Sequence, residues 1–145
     1  MPPDRGVRDR PTGAPSTNGP DGNPSNAIVV AGDEETRVLL RGLLRLHHFR
    51  VDGEAEGASQ AMELLQRHRP CLLVVDVNLA EGSSMTLLKD ARALLPQVRT
   101  ILVAPASRPP PINGSSQPPD VVLLRPFRIR QFAEALRPAA PGPSP

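Results

Sequence analysis

The feature that most constrains this 145-residue chain is an alternation. Short, unbroken apolar runs take turns with segments whose apolar residues recur at helical spacing. AIVV at 27 to 30 opens the series, and CLLVVD at 71 to 76, Thr100 to Ala104 and Val121 to Leu124 continue it. A shorter run around Phe49 to Asp52 leaves room for one more strand. Between them, Asp33 to His47 places Thr36, Leu39, Leu40, Leu43 and Leu44 on one helical face, with acidic residues in the first turn where they suit the helix dipole. GASQAMELLQRH repeats the pattern with Ala58, Ala61, Met62 and Leu65, and Arg69-Pro70 ends it. Ser84 to Leu95 turns Met85, Leu88, Ala91, Leu94 and Leu95 inward, with Pro96 just beyond; Ile129, Phe132, Ala133 and Leu136 give the last helix its stripe. Strands without polar alternation, separated by amphipathic helices, imply a parallel sheet covered on both faces.

One slot breaks the rhythm. Where a helix should cross from the fourth strand to the fifth, the sequence reads PASRPPPINGSSQPP, six prolines in fifteen residues. Proline removes a backbone donor and clashes with the preceding turn, so a long irregular loop must make that crossover. Residues 1 to 26 hold six of the 19 prolines and have no apolar period, and PAAPGPSP at 138 to 145 is alike; both are expected to be disordered tails around a domain at 27 to 137.

Composition removes several classes of function. There is no Trp or Tyr and only three Phe, Phe49, Phe127 and Phe132, too few for a base-stacking platform. The positive charge comes from sixteen scattered Arg with Lys89 the only lysine, and no basic run tracks a phosphate backbone. Direct nucleic-acid binding is not expected. Cys71 is the only cysteine and sits in an apolar run, where a thiol is expected to pack as a small buried hydrophobe. The N-terminus lacks the apolar core of a signal peptide and no stretch reaches the ~20 apolar residues of a membrane span, which gives a cytoplasmic expectation with no membrane partner. His47 and His48 end a helix and match no metal spacing.

In an open doubly wound sheet, ligands bind outside the carboxyl ends of the strands, near the point where strand order reverses. The residues just past those ends are Ala31-Gly32-Asp33-Glu34-Glu35, Asp76, Ala104 and Arg125-Pro126-Phe127. With five strands in the order 2-1-3-4-5, the acidic loop lies beside Asp76 and Arg125 approaches from the other side. Read alone, Asp76 is either a reactive carboxylate or the cap of its loop, and Asp33 an N-cap or a metal ligand.

Three segments carry a resemblance. DVNLAEGSSMTLLKDAR, LLRPFRIRQFAEALR and VVAGDEETRVLLRGLLR, in this spacing, resemble the phosphoacceptor loop, the last strand and helix, and the first strand and helix of response-regulator receiver domains, the phosphoacceptor modules of bacterial two-component signalling. The resemblance covers roughly residues 26 to 137. It implies an α/β, flavodoxin-like, doubly wound parallel sheet of five strands in the order 2-1-3-4-5, here with the fourth helix replaced by the proline-rich loop. It implies that Asp76 is the phosphoacceptor, that Arg125 stands at the family's phosphate-binding lysine, and that Pro126 follows a cis peptide bond. It further implies a Mg²⁺ held in part by Asp76; Asp33, which is not at the family's main ligand position, could join it if the loop shifted by one residue about Gly32.

The same alignment shows departures. The family's acidic pair falls on Ala31 and Gly32, its switch hydroxyl falls on Ala104, and its lysine is Arg125, a wider planar donor. Two functions are compatible with this pattern. One is a stand-alone receiver in a phosphorelay, not an enzyme, which accepts a phosphoryl group on Asp76 from a histidine kinase or phosphotransfer protein and acts by binding a downstream protein. The other is a receiver-like interaction module that works without phosphorylation, in which Arg125 is the ion-pair partner of Asp76 and the two form a static pair. No G-x-G-x-x-G or G-x-x-x-x-G-K loop supports a nucleotide-binding alternative.

Overall fold

A computed structural model describes residues 25–110 and 118–137. Residues 1–24 and 138–145 of the expected tails and the centre of the proline-rich loop lie outside these residues; Asn26, expected to end the first tail, is instead the first residue of the first strand. Five strands and four helices follow one another as β1 (Asn26–Val30), α1 (Glu34–Leu46), β2 (Arg50–Ala55), α2 (Ala58–His68), β3 (Leu72–Asp76), α3 (Ser84–Leu94), β4 (Arg99–Pro105), β5 (Val121–Arg125) and α4 (Ile129–Leu136). All four neighbouring strand pairs are parallel, in the order β2-β1-β3-β4-β5 expected from the sequence.

The central strands read as continuous apolar runs because both of their faces are covered. Along β3, Leu73 and Val75 point into a core shared with Ala61 and Leu65 of α2 and Leu87, Leu88 and Ala91 of α3. Leu72 and Val74 point the other way, into a core built with Leu40 and Leu44 of α1 and Phe132 of α4. Phe132 is fully buried and stacks on Phe127 with ring centroids 5.9 Å apart.

Local chemistry sets the helix ends. Asp33 caps α1, and Glu34 and Glu35 in its first turn and Arg45 in its last complement the dipole. The chain leaves α1 through His48 in a left-handed conformation (φ 69°), and leaves α2 through Arg69 in the same conformation (φ 44°). Ser83 caps α3 by accepting from the Thr86 N–H. The Arg125–Pro126 bond is cis, as the resemblance implied.

Between β4 and β5, none of the described residues is helical. The returning end of the crossover is instead fastened by a polar cluster. Asp120 accepts from the Thr100 N–H at 2.7 Å and from Arg92 Nη2 at 3.0 Å, while Arg92 Nη2 also donates to the Pro118 carbonyl at 3.3 Å. The buried Thr100 hydroxyl accepts from the Asp120 N–H at 3.0 Å. The guanidinium of α3 thus holds the loop end to β4.

Three expectations change. Cys71 is exposed rather than buried, because β3 begins one residue later and Cys71 stands at the sheet's amino edge, its N–H donating to Asn26. Leu39 and Ile129 face outward, 50% and 58% exposed, and in α4 Ala135 takes the buried position instead. β2 is longer than its apolar residues suggested, since as an edge strand it continues through Gly53 and Glu54. Among the described residues, no helix is long and apolar enough to cross a membrane.

Candidate functional site

The carboxyl ends of β1, β3 and β5 meet at Asp76. As the last residue of the central strand it is buried, with 1% of its surface exposed. Its Oδ1 accepts from the Asn78 N–H at 3.4 Å, and its Oδ2 accepts from Arg125 Nη1 at 3.3 Å. Burial pushes the Asp76 carboxyl above the ordinary aspartate range; Arg125 and the Asn78 and Val77 N–H groups oppose the rise without cancelling it.

Arg125 reaches further than this pair. The same Nη1 lies 3.4 Å from Thr36 Oγ1, and that hydroxyl donates to Asp33 Oδ2 at 3.0 Å. Asp33 Oδ2 also accepts from the Thr36 N–H at 2.9 Å as the cap of α1. A continuous polar chain therefore runs Asp33–Thr36–Arg125–Asp76, with the guanidinium against the buried carboxylate. The Thr36 N–H and hydroxyl, aided by Arg37 and Arg125 and opposed by slight desolvation, hold the Asp33 carboxyl below its usual range.

Thr36 is the member that sequence reasoning missed as a site residue. It counted only as a core position, yet its place three residues after Asp33 is the ordinary reach of a capping aspartate. Its contact with Arg125, 89 residues away, has no local signal.

The two positions after β1 are built for packing. Ala31 is fully buried, its N–H donating to Ala55 O at 3.0 Å and its carbonyl accepting from Arg37 Nη1 at 2.7 Å. The Gly32 N–H donates to Asn78 O at 2.8 Å. A Cβ on Gly32 would meet backbone on three sides: Ala80 N at 2.9 Å, Asn78 O at 3.0 Å and the Leu79 carbonyl carbon at 3.1 Å. Glycine is needed here for close approach to the β3–α3 loop, not for a shift of the loop that would bring Asp33 inward. Ala104 is fully buried and pairs in register with Leu124, so this position carries a methyl group and no hydroxyl.

Mg²⁺ asks for oxygen ligands in near-octahedral array, commonly one or two carboxylates with several waters. These residues do not fit that demand. Asp33 is committed to Thr36, Ala31 and Gly32 offer no side-chain oxygen, and the one buried carboxylate already faces a fixed cation. Among the described residues, no three His, Cys, Asp or Glu side chains cluster as a metal site.

No protein-family model matches the chain. Among curated proteins it is similar to the chemotaxis protein CheY of Bacillus subtilis (strain 168), 26% identical over 114 residues that span 77% of this chain and 95% of that one. Among solved structures it is similar to the receiver domain of AraT, a response regulator from Geobacillus stearothermophilus, with a TM-score of 0.63 and 25% identity over 76% of this chain and 88% of that one. It is also similar to the structure of a CheX-CheY-BeF3-Mg²⁺ complex from Borrelia burgdorferi, with a TM-score of 0.66 and 14% identity over 79% of this chain and 88% of that one. Fold, strand order and sequence similarity agree: the chain has the fold of CheY-like response-regulator receiver domains and is similar to them in sequence.

Proposed function

We propose that this receiver domain signals by binding a partner protein and that its Asp76–Arg125 pair is a static internal ion pair, so that binding does not wait on phosphorylation. One observation carries this reading: the guanidinium of Arg125 lies on Asp76 Oδ2 and Thr36 Oγ1, and supplies the positive charge that a buried carboxylate needs. An aspartate that attacks a phosphoryl group needs the repulsion of the phosphate oxygens neutralised, normally by a metal ion and a fixed cation together. Here a fixed cation is present, while among the described residues no three His, Cys, Asp or Glu side chains cluster to hold a metal ion. Ala104 adds no hydroxyl that could respond to a bound phosphoryl group.

The second reading, phosphoacceptance on Asp76 within a phosphorelay, is favoured by the position of that residue. It ends a buried central strand at the crevice where such sheets bind ligands, with a cation at 3.3 Å suited to a phosphate oxygen. A histidine kinase or phosphotransfer protein is the donor in that case, with Mg²⁺ as the expected cofactor.

Incubation with acetyl phosphate and Mg²⁺, followed by intact-mass measurement, separates the two. The static reading expects no phosphoryl adduct on the wild type. An adduct that is lost in Asp76→Asn would overturn it in favour of the phosphorelay.

A further inference from the structure

Helix α2 starts without a cap of its own. Its N-cap is Gly57, which has no side-chain oxygen, and its first turn holds no acidic residue. Its free N–H groups are nonetheless met by a residue of the loop that follows Asp76. The Ala58 N–H donates to the Glu81 carbonyl at 3.1 Å, and the Ser59 N–H donates to Glu81 Oε2 at 2.7 Å. The Ser59 hydroxyl lies 3.4 Å from Glu81 Oε1. A carboxylate at this end of the helix also suits its dipole.

This seam is one of two. On the α2 side the Ala80 N–H donates to Glu56 O at 2.8 Å, and on the α1 side the Gly32 N–H donates to Asn78 O at 2.8 Å. Two glycines make the close approach possible. A Cβ on Gly57 would run into the Glu81 side chain; Gly82 sits at φ +81°, where a Cβ would also meet Ala58 Cβ at 2.6 Å. The loop between β3 and α3 is therefore stitched to the β1–α1 corner by one end and to the N-terminus of α2 by the other.

We propose that Glu81 is a positioning residue that latches the Asp76 loop to α2, making the Asp76–Arg125 site and the first turn of α2 one mechanical unit. A disturbance at the site then loosens the α2 cap, and a partner that grips the start of α2 acts back on the site. The coupling runs through named hydrogen bonds and does not depend on whether Asp76 is phosphorylated.

Amide hydrogen exchange on the full chain tests this. Glu81→Ala is expected to speed exchange at Ala58 and Ser59 by about tenfold, the effect of losing one net hydrogen bond, and also at Ala80 and Gly32 across the loop. The side-chain Nε–H resonance of Arg125 should shift as well, which a simple helix cap would not cause. Glu81→Gln, which keeps an acceptor oxygen, should restore most of the protection. Gly57→Ala, which presses on the Glu81 side chain, should reproduce the Glu81→Ala pattern and serves if that variant does not fold. Faster exchange confined to Ala58 and Ser59, with Ala80, Gly32 and Arg125 unmoved in either variant, overturns the latch.

Discussion

Replacing Arg125 with methionine keeps most of the side chain's apolar bulk and removes its charge. The consequence follows from the surroundings of Asp76, a carboxylate 1% exposed whose opposing charge is 3.3 Å away. Breaking a buried pair from one side costs about 3–5 kcal/mol because the remaining charge is left uncompensated. Arg125 is itself 28% exposed, so water can replace part of what is lost, and about 2–4 kcal/mol is expected at neutral pH. For a domain of this size that corresponds to a fall in Tm on the order of 10 to 20 °C.

The loss should depend on pH with a definite sign. The Asp76 carboxyl titrates above its ordinary value of 3.8 in the folded state, so the folded protein holds this proton more tightly than the unfolded chain does. Its contribution to stability is therefore greatest in acid and falls as pH rises through the folded pKa, a fall that Arg125 limits. Without Arg125 the fall is steeper. Urea denaturation should show a large deficit for Arg125→Met at neutral pH and a smaller one well below 3.8, where protonation of the carboxyl is favoured in both folded and unfolded chains. In an Asp76→Asn background the Arg125→Met deficit should nearly vanish. An equal loss at both pH values, or an undiminished loss in the Asp76→Asn background, would mean that Arg125 acts by packing and would refute the reasoning.

Other sites yield further expectations. Gly32→Asp, the obvious way to restore an acidic residue after β1, should destabilise the fold by about 1–3 kcal/mol in chemical denaturation without conferring Mg²⁺ binding, because its Cβ meets loop backbone on three sides. Asp120→Ala should cost about 1–2 kcal/mol by unfastening the crossover from Thr100 and Arg92. Burial raises the Asp120 carboxyl, but the Thr100 N–H and Arg92 outweigh it and leave the pKa below 3.8, so this contribution is present above 3.8 and lost as pH falls through the folded value; acid should close the gap with the wild type. Phe132→Ala should cost about 3–5 kcal/mol in the same measurement, since the ring is fully buried against Phe127.

The fold was legible because its signals are local. An apolar run such as Leu72–Val75 can be uninterrupted only where both faces are covered, and the prolines after β4 rule out a helix without reference to anything distant. Asp33 as a cap was equally local, resting on the residues just after it. Cys71 was misread because apolar periodicity does not mark where a strand begins, and one residue separates the buried strand from the exposed sheet edge. The site was legible in its parts but not in its wiring. That Asp76 and Arg125 meet followed from strand order; that Thr36 joins them, that Gly32 abuts the Ala80 backbone, and that Glu81 caps a helix 22 residues earlier depend on packing between loops, which leaves no periodic trace.

The most direct test of the central claim is a titration of the wild-type protein with Mg²⁺ by calorimetry, followed by thermal unfolding with Mg²⁺ and beryllofluoride. A site completed by Arg125 predicts no binding heat attributable to Asp76 and an unchanged Tm with the phosphate mimic. Saturable Mg²⁺ binding that disappears in Asp76→Asn, together with a rise in Tm on adding beryllofluoride, would contradict it.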